Sequence, residues 1–171
     1  MTAALSPCGK YRYRLTRGDG NLLPVVTLNP STADNVVDDA TIRRLLGFAQ
    51  RGIYLYPGAA QRTKYDGIDV VNLYGLRATN PLALKTAADP YGPDNDAHLE
   101  AFCHWHAGAG IVVAWGTHAK SDAVQRFMRH VDKHARRQWL RCFGLTNAGH
   151  PRHPLYLSYA TPLHRYQGPQ S

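Results

Sequence analysis

Cysteine is scarce in this sequence of 171 residues, and long apolar runs are missing from it. The three cysteines, Cys8, Cys103 and Cys142, are scattered and show no Cys-x-x-Cys spacing, which argues against disulfides and against an iron–sulfur cluster. We therefore expect no metal and no cofactor. No stretch approaches the roughly 20 apolar residues that span a bilayer, and the N-terminus lacks the basic and apolar segments of a signal peptide. These absences predict a cytoplasmic protein with no membrane partner.

Acidic residues are also in short supply, since 12 of them stand against 20 lysines and arginines and leave a formal net charge of +8. Such an excess favours an anionic partner; we expect nucleic acid, DNA first, and no obligate protein partner is implied. A long helix predicted over 118–138 concentrates basic residues on one face, namely Arg126, Arg129, Lys133, Arg136 and Arg137. Two interpretations of this face stay open: a solvated surface, or a stripe that follows phosphates and makes binding steeply salt-dependent.

Hydrophobic periodicity predicts one α/β domain over residues 1–171. Residues 11–17 alternate between apolar and basic side chains, as in a half-exposed strand, and the turn at 18–21 predicts a hairpin with the next strand. Pro24 limits the firm part of that next strand to 25–28. The remaining expected elements are helices at 38–52, 94–107 and 118–138, strands at 70–73, 111–115 and 139–143, and a loop at 54–69.

This order of elements predicts a three-layer αβα sandwich around a central, mostly parallel sheet of about four strands. An antiparallel N-terminal strand is added to that sheet. Within the domain we expect an N-terminal strand or hairpin over 1–21, an α/β core over 22–164 and a flexible tail over 165–171.

Polar residues follow four of the predicted strands, in the segments VVTLNPSTAD, DVVNLYGLR, IVVAWGTHA and GHPRHPLYLSY. Open α/β folds bind their ligands at the carboxyl ends of the strands, so we expect these segments to converge on one cleft. Asn29 precedes Pro30 and is therefore extended; its amide either positions a water molecule or ties the loop to its own backbone. Asn72 either reads the edge of a base or simply ends its strand. Trp115 forms either a wall of the ligand pocket or part of the core.

Histidine and aspartate supply the titratable groups near these strand ends. His153 lies in a rigid loop before Pro154. Three interpretations of its side chain stay open. A neutral imidazole would donate to a developing oxyanion, a charged one would pair with phosphate, and an ordinary exposed histidine would do neither. Asp34, Asp38 and Asp39 precede a predicted helix, where they either cap its N-terminus or act as a general base or cation ligand.

In this order, the four segments resemble the motifs of the uracil-DNA glycosylase superfamily. VVTLNPSTAD resembles its water-activating first motif, closest to the mismatch-specific branch, and VVNLYGLR resembles the strand whose Asn contacts the flipped base. IVVAWGTHAKSDAV is similar to the strand-and-helix segment ending in Trp-Gly, and HPLYLS to the loop that enters the minor groove. The resemblance implies a uracil-DNA-glycosylase-like fold and a DNA-binding glycosylase that hydrolyses the N-glycosidic bond of a modified or deaminated base.

The same resemblance implies roles for residues of this chain, with Asn29 and His153 catalytic. The other implied positions are Asn72, Pro30 and Trp115 at the base, Ser31, Thr32, Arg77, Arg152, Tyr156 and Ser158 at the DNA, and Asp34 and Asp39 as accessory acids. Over nearly its whole length the chain is also similar to a bacterial and phage family of uncharacterised proteins marked by LNPSTAD, DDxT and GxPxHPLYL.

Two features depart from the efficient uracil-removing branch of that superfamily. The first motif lacks the catalytic Asp and the Tyr-His of that branch, and Leu155-Tyr156 replaces a small Ser-Pro. We therefore keep two alternatives open. One is a catalytically silent nucleic-acid-binding module of the same fold. The other is an enzyme of free nucleotides or nucleosides, which holds phosphate with Ser31, Thr32 and a helix N-terminus.

Overall fold

Residues 2–168 are described by the computed structural model, and they form one seven-stranded sheet with four α-helices. The strands are β1 (Thr2–Leu5), β2 (Arg12–Arg17), β3 (Leu22–Thr27), β4 (Gly67–Asn72), β5 (Val112–Val113), β6 (Arg141–Cys142) and β7 (His164–Arg165). The helices are α1 (Ala40–Arg51), α2 (Ala83–Thr86), α3 (Asn95–Trp105) and α4 (Ser121–His134). Short 3-10 turns lie at Gly116–His118, Arg137–Trp139 and Pro154–Tyr156.

The strand order in the sheet is β1-β2-β4-β3-β5-β6-β7. The central strands β4, β3, β5 and β6 run parallel, whereas β1, β2 and β7 are antiparallel to their neighbours. The predicted mixed α/β class and the antiparallel N-terminal strand are confirmed. The sheet is larger than predicted, because β1 and β7, too short to show a periodic pattern, extend its two edges.

The predicted hairpin between β2 and β3 is wrong, because β4 lies between these two strands. β2 pairs antiparallel with β4, and β3 pairs parallel with the other side of β4. Gly67 makes this arrangement possible at the start of β4: a Cβ there would lie 2.8 Å from the carbonyl carbon of Arg17. The turn at 18–21 therefore leads the chain past β4 instead of back along β2.

Pro24 lies inside β3, which begins at Leu22 and so extends before the firm part predicted at 25–28. The carbonyl of Val26 faces β5, where it accepts from the N–H of Ala114. Pro24, two residues earlier, faces the same side, and β5 pairs with β3 only from Val25 onward. The missing N–H of Pro24 consequently costs the sheet no hydrogen bond.

Helices cover both faces of the sheet and give the three predicted layers. α1 packs on the face that carries Val25, with Phe48 completely buried in that apolar cluster. α3 and α4 pack on the opposite face, where Val26 and Phe127 belong to the second cluster. No helix among residues 2–168 is both long and apolar enough to cross a membrane.

Ordered structure continues into the predicted flexible tail. Arg165 belongs to β7, and the buried Tyr166 packs edge-on against Trp115 with ring centroids 5.6 Å apart. The N–H of Tyr166 donates to the carbonyl of Leu140. The last part of the predicted tail, residues 169–171, lies outside the described residues.

Candidate functional site

A cleft of 790 Å³ opens at the carboxyl ends of the parallel strands. Its walls come from the segments that follow β3, β4, β5 and β6, together with the N-terminus of α1. From β3 the chain passes through α1 to β4 on one side, and it later places β5 on the other side of β3. The cleft therefore lies at the topological switch point, where open α/β sheets bind ligands.

The structure brings about half of the sequence-predicted site residues to this cleft. Those that line it are Asn29, Ser31, Asp39, Trp115, Arg152, His153 and Tyr156. Those that do not line it are Pro30, Thr32, Asp34, Asn72, Arg77 and Ser158. The convergence of strand-end segments is therefore realised, but the segment after β4 contributes Ala78, Thr79 and Pro81 instead of Asn72.

Asn29 lines the cleft and uses one end of its amide to fasten the loop. Its Nδ2 donates to the carbonyls of Pro30 and Ala78 at 2.9 and 2.8 Å. The N–H of Ala78 donates in turn to the carbonyl of Pro30, which joins the loops after β3 and β4. The Oδ1 atom has no hydrogen-bond donor among residues 2–168, so it is free to accept from a ligand or a water molecule.

His153 is held in a defined tautomer at the N-terminal side of the 3-10 turn Pro154–Tyr156. Its Nδ1 accepts from the N–H of Leu155 at 3.4 Å, which leaves the proton of a neutral ring on Nε2. Burial lowers the pKa of the His153 imidazole below its ordinary value of 6.5, and the carboxylate of Asp39 opposes this shift. At neutral pH the side chain is therefore a neutral Nε2–H donor in the wall of the cleft.

The three aspartates before α1 have three different roles. Asp34 lies away from the cleft, and its Oδ1 accepts from the N–H groups of Val36 and Val37, which lowers its pKa. Asp38 pairs with Arg17 at 2.7 Å. Asp39 caps α1 by accepting from the N–H of Ile42, and it also lines the cleft. Asp39 is thus the carboxylate that a ligand in the cleft meets.

Asn72, the predicted base reader, is completely buried at the end of β4. Its Oδ1 accepts from the hydroxyl of Thr27 at 2.7 Å, and its own carbonyl accepts from Asn95. This placement matches the interpretation of Asn72 as a strand-ending residue and offers no surface to a base. Trp115 combines both of its predicted roles, since it is 1% exposed within the core and still lines the cleft floor.

The predicted DNA-contacting residues divide between the rim of the cleft and its support. Arg152 and Tyr156 are exposed at the rim, with Tyr156 93% exposed. Arg77 donates to the carbonyls of Ser31 and Thr32 and so fastens the loop that follows β3. Ser158 lies away from the cleft, and its Oγ accepts from the N–H of Ala160.

Two buried arginines of β2 hold the 31–39 loop in place, although the alternating pattern predicts a half-exposed strand there. Arg12 donates to the carbonyl of Ala33 at 2.7 Å, and burial lowers the pKa of Arg12 to about 10. Arg17 bonds to the carbonyl of Asp34 as well as to Asp38. Because most of their partners are backbone carbonyls, which no sequence pattern specifies, the sequence alone gives no signal for this role.

The segment that carries His153 is anchored against α1. Arg44 donates to the carbonyl of Leu157 and stacks over the ring of Tyr159, with 3.8 Å between Cζ and the ring centroid. Gly47 of α1 lets Tyr159 approach, because a Cβ on Gly47 would lie 2.7 Å from Tyr159 Cζ. This packing fixes the position of the imidazole relative to the rest of the cleft.

Several lining residues lie next to the predicted positions and were not themselves predicted. Thr117 and His118 follow Trp115-Gly116 and are exposed in the cleft, and Thr41 follows the Asp39 cap. The signal for them was present in the segments IVVAWGTHA and DDxT, where small polar residues continue past each motif.

The basic face of α4 is mostly paired with carboxylates. Arg126 pairs with Asp96, and Lys133 pairs with Glu100. Arg137, which lies beyond the end of α4, pairs with Asp132. These ion pairs match the solvated interpretation of the predicted stripe more closely than the phosphate-tracking one.

Comparison with known proteins identifies a family for this chain but no relative of known activity. The search of curated proteins and the search of solved structures gave no match. The resemblance to uracil-DNA glycosylases therefore stays a hypothesis. A family model described as "Protein of unknown function (DUF1643)" matches residues 12–155, which include the first three strand-end motifs and the beginning of the fourth. Since the match covers most of the chain, the protein belongs to the DUF1643 family.

Proposed function

We propose that this protein binds DNA and hydrolyses the N-glycosidic bond of a modified or deaminated base. One observation carries the proposal: the carboxylate of Asp39, the amide of Asn29 and the neutral imidazole of His153 line a single cleft at the switch point of the sheet. Hydrolysis at the anomeric carbon needs a proton acceptor, a group that places water and a donor to the leaving base. Each of the three side chains suits one of these tasks.

In the proposed reaction, the bond between C1′ and the base nitrogen breaks, and its electron pair passes to the base. The oxygen of a water molecule forms the new bond to C1′. Asn29 Oδ1 accepts a hydrogen bond from this water, and Asp39 takes its released proton on the carboxylate oxygen that the helix cap leaves free. His153 Nε2–H donates to the base oxygen on which negative charge develops. Asn72 has no part in this scheme.

A polymer is a better-supported substrate than a free nucleotide. Tyr156 projects from the rim as the most exposed large hydrophobic side chain of residues 2–168, where it is suited to fill the space left by an extruded nucleotide. Arg152 lies beside it and is suited to a backbone phosphate. A phosphate bound at the N-terminus of α1 would instead meet the Asp39 carboxylate, and Thr32 lies outside the cleft.

The test uses duplex and single-stranded DNA that carries uracil, hypoxanthine or a 5-substituted pyrimidine. Cleavage by alkali after incubation reports abasic sites. We expect cleavage of at least one of these substrates. Asp39→Asn and His153→Gln should each slow it by about 100-fold or more, the usual contribution of a general base or an oxyanion donor.

Matched variants separate chemistry from structure. Asp39→Asn removes the charge of Asp39 and keeps a good helix cap. Asp34→Asn removes a charge outside the cleft and keeps an oxygen that can accept the hydrogen bond of the loop. His150→Gln changes a histidine that lines a neighbouring cavity. Equal losses in Asp34→Asn and Asp39→Asn, or cleavage that survives both cleft substitutions, would exclude the scheme. Salt-dependent DNA binding without any cleavage would favour the silent binding module.

A further inference from the structure

A second groove, which we name the Trp139 groove, lies at the opposite edge of the sheet from the cleft. It has a volume of 320 Å³, and its lining includes Tyr56, Gly110, Trp139, Arg141 and Arg165. Gly110 precedes β5 and Trp139 precedes β6, so the groove lies at the amino ends of these parallel strands. A ligand bound in the cleft therefore does not reach it.

Flat aromatic surfaces are exposed in the Trp139 groove. Tyr56 is 62% exposed and Trp139 is 39% exposed. Gly110 adds no side chain to the lining beside them, although a Cβ there would make only ordinary contacts, 3.7 Å from Arg141 Cγ and 3.8 Å from the carbonyl oxygen of Trp139. Exposed aromatic rings of this kind are the surfaces on which single-stranded nucleic acids stack their bases.

Two arginines face each other beside these rings. Arg141 of β6 is directly opposite Arg165 of β7 in the antiparallel pair, so both side chains lie on the same face of the sheet. Like charges in this position destabilise the pairing, and no carboxylate from residues 2–168 lines the Trp139 groove. Arg141 is fixed by donating to the carbonyls of Gln138 and Leu140. A bound anion would relieve the repulsion between the two guanidinium groups.

We propose that the Trp139 groove binds single-stranded nucleic acid, with a base stacked on Trp139 or Tyr56 and a phosphate between Arg141 and Arg165. Single strands combine flat bases with phosphates, whereas an acidic peptide would satisfy the arginines and leave the rings exposed. A duplex offers phosphates, but its bases are already stacked on one another. This site is independent of the cleft and of the proposed glycosylase activity.

The test measures binding of a fluorescein-labelled oligothymidylate of about 12 nucleotides by anisotropy, a length within the usual site size of such surfaces. Trp139→Ala should weaken binding by roughly ten-fold or more, and Trp139→Phe should retain most of it, because stacking needs only a ring. Arg165→Gln should reduce the slope of log K against log salt by about 0.7, the value for one phosphate contact on a single strand.

Controls locate the strand on the protein. Trp105→Ala removes another exposed tryptophan, which lies outside the groove with Arg14 over its ring, and should leave binding unchanged. Arg129→Gln removes one exposed charge from α4 and should change the salt slope less than Arg165→Gln does. His153→Gln should leave this binding intact even where it abolishes base release, and Trp139→Ala should leave base release from duplex DNA intact.

Three results would overturn the proposal. The first is binding that is lost in Tyr156→Ala and kept in Trp139→Ala, which would place the strand at the cleft. The second is equal weakening by Arg129→Gln and Arg165→Gln, which would indicate non-specific attraction. The third is full competition by thymidine monophosphate at the same nucleotide concentration, which would indicate a mononucleotide site.

Discussion

Replacing Asn29 by aspartate tests whether this cleft is built around an amide. The substitution Asn29→Asp introduces the carboxylate that the efficient uracil-removing enzymes carry, so analogy predicts a gain in activity. The geometry predicts the reverse. Nδ2 donates to the carbonyls of Pro30 and Ala78 at 2.9 and 2.8 Å, and an oxygen in its place donates to neither.

The loss of stability follows from these two hydrogen bonds. Each contributes about 1 kcal/mol to the free energy of unfolding, so their removal costs about 2 kcal/mol before any repulsion between oxygens is added. For a chain of this size, 2 kcal/mol corresponds to a fall in Tm of about 4–8 °C. Asn29→Ala should lose a similar amount, without the repulsion.

Thermal unfolding at two pH values is the decisive assay. Two facing carbonyl oxygens raise the pKa of the introduced carboxyl group, so the folded state of Asn29→Asp gains a proton more readily than the unfolded state. The difference in Tm from wild type should therefore shrink between pH 7 and about pH 4, near the ordinary carboxyl pKa. A variant that is as stable as wild type at pH 7, or that cleaves faster, would refute the fastening role of Nδ2.

Three further predictions concern the packing of α1 against Tyr159, the pH dependence of His153 and a buried ion pair between β2 and β4. Gly47→Ala should destabilise the protein by about 1–3 kcal/mol, because the new methyl group meets the ring of Tyr159. Urea unfolding measures this loss. Adding Tyr159→Leu to the same chain should recover part of the lost stability. Burial lowers the pKa of His153, so the midpoint of its NMR titration should lie below 6.5. The free energy of unfolding should fall on acidification below pH 6.5, because the unfolded state then gains a proton before the folded state does. A midpoint above 6.5 would contradict the buried, neutral imidazole. Asp69→Asn should lower the free energy of unfolding by about 3 kcal/mol, because it breaks the buried ion pair between Asp69 and Arg14. Urea unfolding of this variant beside Arg14→Gln would check the loss.

Much of the fold follows from the sequence because strong patterns specify it. The apolar stretches around Val25, Val70 and Val112 gave the parallel strands, and the Asp39 cap with its apolar stripe gave α1. The position of β4 between β2 and β3 did not follow, since strand order depends on long-range pairing that local residues such as Gly18 do not encode. The same limit hid β1, whose four residues show no distinct period.

The sequence indicates which side chains follow the end of a strand, and some of these reach the cleft. It does not indicate which of them are buried in the core instead. Asn29 and His153 follow apolar strands in sequence, and both reach the cleft. Asn72 has a similar sequence context, but it is the last residue of β4, whereas Asn29 lies two residues beyond the end of β3, so the amide of Asn72 bonds to Thr27 inside the core. The distinction between these asparagines depends on what packs above each strand end, which becomes visible only in three dimensions.

The buried arginines of β2 have a consequence for binding experiments at different salt concentrations. Arg12 and Arg17 hold the 31–39 loop largely through backbone carbonyls and away from solvent, where dissolved ions screen interactions only weakly. The wall of the cleft should therefore keep its shape at salt concentrations that strip a polyanion from the surface. A fall in the affinity for a polyanion on adding salt would then report lost phosphate contacts, which can be counted in charges without a correction for a collapsing cleft.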